Sequence, residues 1–137
     1  MQIVIDEIFL MYKDAGVEMT KFGVAADELP YGAWQKSPMC DNFMNENSIS
    51  GDYNALYELM QRRIYNKISS YGATMTGWDD ILLKLTEKNQ SETQIKDFFK
   101  DDDILLFVWK NDWGQGRQDM IYKYANLGYK SIMSNSS

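Results

Sequence analysis

Apolar residues at helical spacing alternate along the chain with short apolar runs, and glycine, proline or polar clusters separate the two kinds of segment. The runs predict four strands, at residues 20–27, 73–78, 104–109 and 129–135. The helical spacing predicts helices at residues 2–14, shortly after Pro38, at 53–71 and at 117–128, with short helical turns in 79–85 and in 91–99, where Ser91 is the predicted N-cap.

The same spacing predicts which helical faces are buried. In the first helix the predicted core face carries Val4, Ile8 and Met11, with Ile5, Phe9 and Tyr12 beside it. In the 53–71 helix the predicted stripe contains Leu56, Met60 and Ile64, and Tyr53, Tyr57 and Ile68 add to it. The run at 104–109 has no polar interruption, which is typical of a strand that is buried on both faces.

Strands that alternate with helices indicate parallel pairing through right-handed crossovers, and hence an α/β fold. After a longer first interval, the predicted strands follow one another at about 30 residues per unit, the spacing of a (β/α)₈ barrel. The pattern therefore predicts a partial TIM barrel with about four parallel strands.

Composition narrows the classes of function. The chain has 137 residues, 45% of them hydrophobic, which fits one domain with a packed core. A net charge of −6 without a basic cluster argues against nucleic acid or anionic lipid as the main partner. No apolar run approaches the roughly 20 residues of a membrane span. The N-terminal residues lack the features of a signal peptide, and the localisation stays open.

The chain has no histidine and only one cysteine, Cys40. These absences exclude Ser-His-Asp and Cys-His catalysis, the commonest zinc sites and an intramolecular disulfide. Carboxylates, lysines, tyrosines and four tryptophans remain available for chemistry. We expect neither a metal ion nor a cofactor.

Carboxylates and tryptophans stand at the predicted strand ends. Asp27 is predicted to end the first strand, with Glu28 as the first loop residue because Pro30 stops the ladder. Trp78 and Trp109 end the next two strands. Indole rings stack on sugars, and paired carboxylates hydrolyse glycosides. However, an Asp-Glu pair is also typical of a solvated turn, and a tryptophan at a strand end is also typical of a core.

Three segments resemble glycoside hydrolase family 20, the β-N-acetylhexosaminidases. The stretch "FGVAADELPYGAWQKSPMC" is similar to the family phrase F-H-x-G-G-D-E-V-P-x-G-A-W-x-x-S-P-x-C. "GWDDIL" is similar to the element G-W-[DE]-[DE]-I, and "VWKNDWGQGRQDMIYKYANLGYKSIMSNSS" resembles the segment before strand seven of the chitobiase-like branch. The resemblance implies a (β/α)₈ barrel of which this chain corresponds to helix three through strand seven.

The resemblance also implies roles for site residues. Glu28 would be the general acid, and Asp27 would hold the 2-acetamido group whose oxygen attacks C1, as in substrate-assisted retaining hydrolysis. Trp78 and Trp109 would form the walls of the terminal sugar pocket, and Trp113 would reach the aglycone side. The implied ligand is an oligosaccharide or glycan that ends in N-acetylglucosamine or N-acetylgalactosamine. Family relatives are often periplasmic or secreted.

The chain departs from the family phrase at three positions, where Gly23 replaces histidine and Ala25 and Ala26 replace glycines. The family's sugar-clamping arginine and its Tyr-x-Asp element have no counterpart in this sequence. We therefore expect residues 1–137 to form a single partial catalytic domain, truncated at both ends and inactive in isolation. Its open barrel edges predict self-association or a different closure. The alternatives are an inactive carbohydrate-binding remnant and an interaction module.

Overall fold

The computed structural model describes residues 1–30, 32–50, 53–84, 95–109, 111, 113–114 and 116–134. In chain order the elements are α1 (Gln2–Asp14), β1 (Lys21–Gly23), α2 (Pro38–Glu46), α3 (Tyr53–Ser69), β2 (Thr74–Trp78), a 3₁₀ helix (Asp79–Leu82), β3 (Ile104–Val108), α4 (Met120–Asn126) and β4 (Lys130–Met133). The four strands form one sheet in the order β1-β2-β3-β4, and every neighbouring pair is parallel. This confirms the predicted α/β fold with four parallel strands.

Local sequence signals account for the ends of several helices. Ser37 caps α2 by accepting a hydrogen bond from the Cys40 backbone N–H, and Pro38 occupies the first turn, where its missing N–H costs nothing. Gly16 and Gly128 follow α1 and α4 with φ of 71° and 89°, a conformation that glycine adopts without strain. Helix α4 begins at Met120, later than the predicted residue 117.

The core lies between one face of the sheet and helices α1, α3 and α4. Alternate residues of β3 are fully buried against these helices, whereas Leu105 and Phe107 on the other face are half-buried. The prediction that this strand is buried on both faces was therefore only half right. The fully buried side chains of the core come from all three helices, the sheet, the 3₁₀ helix and the segment before β3: Ile5, Ile68, Met75, Ile81, Leu82, Phe99, Ile104, Leu106, Val108, Met120 and Tyr124.

Two helical faces agree with the prediction only in part. Helix α1 buries Ile5 and Phe9, which were predicted beside the core face, while Val4 and Met11 of the predicted face are exposed. The helix is apolar on several sides, so the spacing alone did not single out the face that packs. In α3 the predicted stripe is confirmed at Tyr57, Ile64 and Ile68, whereas Leu56 and Met60 are only half-buried. The buried face also includes two polar side chains, Asn54 and Gln61, that were not predicted.

Two predicted helical turns have different outcomes. Residues 79–82 form the 3₁₀ helix, which confirms part of the first turn. Ser91 and its neighbours lie outside the described residues, and residues 95–99 contain no helix. None of the helices in the described part of the chain is long and apolar enough to cross a membrane.

Candidate functional site

The parallel strands bring the ends of β1, β2 and β3 to one edge of the sheet, which we call the carboxyl edge. Strand β1 ends at Gly23, so the prediction that Asp27 is the last strand residue was wrong. The chain nevertheless stays beside β2, because the Val24 N–H donates to the Thr76 carbonyl at 2.9 Å and the Trp78 N–H donates to the Ala25 carbonyl at 3.0 Å.

The segment before the carboxylates leaves the extended conformation at two alanines. Ala25 and Ala26 have φ of 54° and 66°, in the left-handed region that L-residues other than glycine adopt at a cost. Glu28 follows with a φ of 54°. This backbone bend separates Asp27 from the ladder, and no glycine in the sequence indicated it. The bend occurs where the family phrase has two glycines, which adopt this conformation freely.

We expect the double substitution of Ala25 and Ala26 by glycine to stabilise the protein by roughly 1 kcal/mol. Relief of left-handed strain at two positions exceeds the added chain entropy of glycine in the unfolded state. The matched control is Ala55→Gly within α3, which is expected to destabilise by about 1 kcal/mol because helix interiors disfavour glycine. Urea unfolding measures both changes, and a loss of stability in the double variant would contradict the strain.

Tyr57 of α3 forms a hydrogen bond with the backbone of the bend at Ala25 and Ala26. Its hydroxyl donates to the Ala26 carbonyl at 3.2 Å, and its ring lies 6.1 Å from the ring of Trp34. Burial raises the pKa of the Tyr57 hydroxyl, and the negative charges of Asp80 and Asp27 raise it further. The hydroxyl therefore stays protonated at neutral pH and remains a donor. Asp27 and Asp80 thus act electrostatically on one buried phenol, although Asp27 lies in the bend after β1 and Asp80 in the 3₁₀ helix after β2.

Removing the Tyr57 hydroxyl is expected to cost about 1 kcal/mol of stability, because the half-buried Ala26 carbonyl loses its hydrogen-bond donor. The change is Tyr57→Phe, which keeps the ring in the core. Tyr122→Phe is the control, since Tyr122 is 66% exposed and is expected to change stability by less than about 0.5 kcal/mol. Equal midpoints of chemical unfolding for the two variants would show that the hydroxyl does not support the bend.

Gly77 permits the close approach of the bend to β2, a role that the sequence reading did not assign to it. A β-carbon at this position would lie 3.0 Å from the Ala25 carbonyl oxygen, 2.5 Å from Cδ1 of Ile81 and 3.3 Å from Cγ2 of Val24. Only glycine fits there without displacing a neighbour. The signal in the sequence was a glycine inside a strand, which often marks a close backbone contact.

Trp78 and Trp109 follow from neighbouring strands at the same edge. Trp78 is the last residue of β2, as predicted. Strand β3 ends at Val108, one residue earlier than predicted, and Trp109 directly follows it. Both are half-buried. The Trp78 ring meets the Phe107 ring edge-on, with centroids 5.8 Å apart, on the face of the sheet opposite the helical core. Trp78 and Phe107, which are partners in the register of β2 and β3, therefore lie on the same face of the sheet.

Two adjacent aspartates, Asp79 and Asp80, begin the 3₁₀ helix and hold Trp109 at two points. Asp79 Oδ1 accepts from the Trp109 backbone N–H at 3.3 Å, and Asp80 Oδ2 accepts from the indole Nε1–H at 2.7 Å. Tyr124 donates to Asp79 Oδ2 at 3.2 Å. Asp79 is fully buried and Asp80 is 9% exposed. Sequence reasoning missed this pair, because adjacent acidic residues usually indicate a solvated surface.

Other predicted site residues are more exposed. Asp27 and Glu28 both face solvent, and Trp113, in the loop after β3, is 89% exposed. Two cavities of about 560 and 460 Å³ lie elsewhere, one beside α1 and the other between α1, α3 and the Trp34 ring. Neither is lined by a predicted site residue. Within the described ranges, no three acidic or cysteine side chains are grouped so that they could hold a metal ion.

Four parallel strands in one sheet, with polar and aromatic side chains at the carboxyl edge, are typical of part of an α/β barrel, a fold in which active sites lie at that edge. The family model of the glycosyl hydrolase family 20 catalytic domain matches residues 1–137. The chain therefore belongs to glycoside hydrolase family 20.

Solved structures of this family share the fold. The exo-β-N-acetylglucosaminidase from Vibrio harveyi, solved with N-acetylglucosamine, is 21% identical, with a TM-score of 0.66 over 98% of this chain. A chitobiase from Flavobacterium johnsoniae and a β-N-acetylhexosaminidase from Bacteroides fragilis are 16% and 18% identical, each over 98% of this chain, with TM-scores of 0.64 and 0.60. The chain spans 17%, 18% and 23% of the Vibrio, Flavobacterium and Bacteroides chains.

Proposed function

We propose that this chain carries part of the sugar site of an exo-acting β-N-acetylhexosaminidase, which removes terminal N-acetylglucosamine or N-acetylgalactosamine. The observation that carries the proposal is the convergence of the Ala25–Glu28 bend with the ends of β2 and β3, fixed by the hydrogen bond from the Trp78 N–H to the Ala25 carbonyl. That contact brings the segment bearing both carboxylates beside the first of two tryptophans. The similar solved structures of an exo-β-N-acetylglucosaminidase and a β-N-acetylhexosaminidase support the same substrate class.

In the proposed mechanism Glu28 protonates the leaving glycosidic oxygen as general acid. The acetamido oxygen of the substrate attacks C1, and Asp27 accepts a hydrogen bond from the acetamido N–H. The intermediate that forms is an oxazolinium cation, so a fixed carboxylate beside its N–H stabilises the charge as it develops. Water then opens the intermediate with Glu28 as general base, and the configuration at C1 is retained. Faces of Trp78 and Trp109 pack against the C–H groups of the terminal sugar.

The second candidate is a sugar-binding protein that performs no hydrolysis, and two observations favour it. Asp27 and Glu28 are exposed, whereas general acid catalysis and charge stabilisation gain from a site that excludes water. Strained alanines precede them, so their placement depends on a bend that costs free energy. We propose that the isolated 137 residues bind the sugar with little or no turnover.

A chromogenic N-acetylglucosaminide separates these candidates when turnover and binding are measured on the same sample. Hydrolysis that falls in Asp27→Asn supports the enzyme, because Asp27 is proposed to stabilise the intermediate whichever group leaves. Saturable binding of N-acetylglucosamine without hydrolysis supports the binding protein. Glucose is the matched control ligand, because it lacks the acetamido group that Asp27 is proposed to hold. An absence of both hydrolysis and binding, or equal affinity for the two sugars, would contradict the proposed site.

Self-association is a separate part of the proposal. Strands β1 and β4 lie at the two edges of the described sheet, and their residues are mostly exposed. An unpaired parallel edge presents backbone donors and acceptors to a second copy. Sedimentation velocity at micromolar concentration tests this, and a compact monomer would contradict it.

A further inference from the structure

Two carboxylates that the proposed mechanism does not use, those of Asp79 and Asp80, form hydrogen bonds with the residue that follows β3. Asp79 and Asp80 are adjacent in sequence, and both are removed from solvent. Burial of an ionised carboxylate is costly unless its oxygens are well hydrogen-bonded. Both aspartates accept such bonds from Trp109: Asp79 from its backbone N–H and Asp80 from its indole N–H. A strand end needs no such arrangement for its own sake, since a buried apolar pair would pack there at lower cost.

The bond to the ring also changes what Trp109 can offer a ligand. At 2.7 Å the indole N–H is committed to Asp80, so it does not serve as a donor to a sugar hydroxyl. Trp109 can then contact a sugar only through the face of its ring. The orientation of the ring plane is set by the hydrogen bond from the indole N–H to Asp80. Asp79 fixes the other end of the residue, and Tyr124 from α4 in turn holds Asp79.

We propose that Asp80, supported by Asp79, is a positioning residue that fixes the plane of the Trp109 indole at the carboxyl edge and thereby sets how strongly an N-acetylhexosamine stacks on it. The sugar part rests on the proposed function; the contact with Trp109 does not. Asp80 acts through Trp109 and is not itself a ligand of the sugar.

Indole N–H resonances in a ¹⁵N-edited NMR spectrum of the full chain test the contact directly. The Trp109 resonance is assigned by its loss in Trp109→Phe. In Asp80→Leu this resonance is expected to move upfield, and its proton to exchange with solvent at least about tenfold faster, because a bond to a charged acceptor is lost. The matched control is Asp101→Leu, which removes an exposed carboxylate from another turn and leaves the resonance in place.

Sugar affinity tests the positioning role. The dissociation constant for N-acetylglucosamine is expected to rise about tenfold in Asp80→Leu, as ring orientation is lost with the bond. In Asp80→Asn, which retains an acceptor oxygen of the same reach, it is expected to stay within about twofold. This rescue separates positioning from a merely structural role. The same affinity in Asp80→Leu and wild type, alongside weaker binding in Trp109→Phe, would overturn the positioning role.

The outcomes distinguish this inference from the proposed function. An unmoved Trp109 resonance in Asp80→Leu overturns the contact whatever the sugar does. If the Trp109 resonance moves in Asp80→Leu but the wild-type protein binds no sugar, the contact is upheld. The proposed function is then contradicted, and with it the part of the inference that concerns sugar affinity. If Asp80→Leu does not fold, Asp80→Asn decides the contact, since a neutral acceptor still shifts the Trp109 resonance and leaves the other three tryptophans unchanged.

Discussion

Replacement of Glu28 by glutamine is expected to lower the turnover of N-acetylhexosaminides with poor leaving groups by about 10²–10⁴-fold in a hydrolytically active form of the protein. Glutamine keeps the size of the side chain but cannot protonate the departing oxygen. Activated leaving groups, such as nitrophenolates, depart without that proton. Substrates that carry them are therefore expected to lose much less turnover. The ratio of the two kcat/KM values therefore reports the acid role of Glu28.

Two further variants make this experiment specific. Asp27→Asn is expected to depress turnover of both substrate types, because a weaker interaction with the acetamido N–H destabilises the oxazolinium whichever group leaves. Glu7→Gln, on the exposed surface of α1, serves as the control and is expected to change neither. An equal loss on both substrates in Glu28→Gln would remove Glu28 from the acid role.

The substitution Gly77→Ala is expected to destabilise the protein by about 1–3 kcal/mol, the usual cost of forcing extra atoms into a packed site. The new methyl would lie 2.5 Å from Cδ1 of Ile81, which can partly move, and 3.0 Å from the Ala25 carbonyl, which is backbone. The bend that carries Asp27 and Glu28 must therefore shift away from β2. We expect a loss of sugar affinity together with the loss of stability.

Gly23→Ala is the matched control for this change. Gly23 lies on the neighbouring strand β1, and its added β-carbon would meet only Oγ1 of Thr76, at an ordinary 3.5 Å. Thermal unfolding of the two variants compares the same chemical change with and without a backbone clash. A Gly77→Ala protein as stable as Gly23→Ala would show that the bend does not approach β2 as closely as the structure indicates.

Most of the architecture could be predicted because its signals are local. Apolar runs between glycine and polar clusters indicated β2, β3 and β4, and Pro38 indicated the start of α2. The end of β1 could not be predicted, because alanine gives no sign of a left-handed conformation. Ala25 and Ala26 adopt it through contacts with β2 and α3 that are distant in sequence.

The placement of the tryptophans at a common edge of the sheet could be predicted from the sequence. The contacts that hold them in position could not. Parallel strands must end at a common edge, so Trp78 and Trp109 were expected near each other and near the bend. The burial of Asp79 and Asp80 depends on partners 29 to 45 residues away, namely Trp109 and Tyr124. No local rule connects those positions, and charge alone suggested the opposite environment.

The measurement that tests the central claim most directly is an NMR titration of the four indole N–H resonances with N-acetylglucosamine, repeated with glucose. If the carboxyl edge is the sugar site, the Trp78 and Trp109 resonances shift together with a single dissociation constant, and Trp34, which packs on Tyr57, does not move. Glucose binds more weakly. Two results would contradict the assignment of the sugar site to the carboxyl edge. One is a shift of the Trp34 resonance alone, and the other is the absence of any shift at sugar concentrations high enough to saturate a weak site.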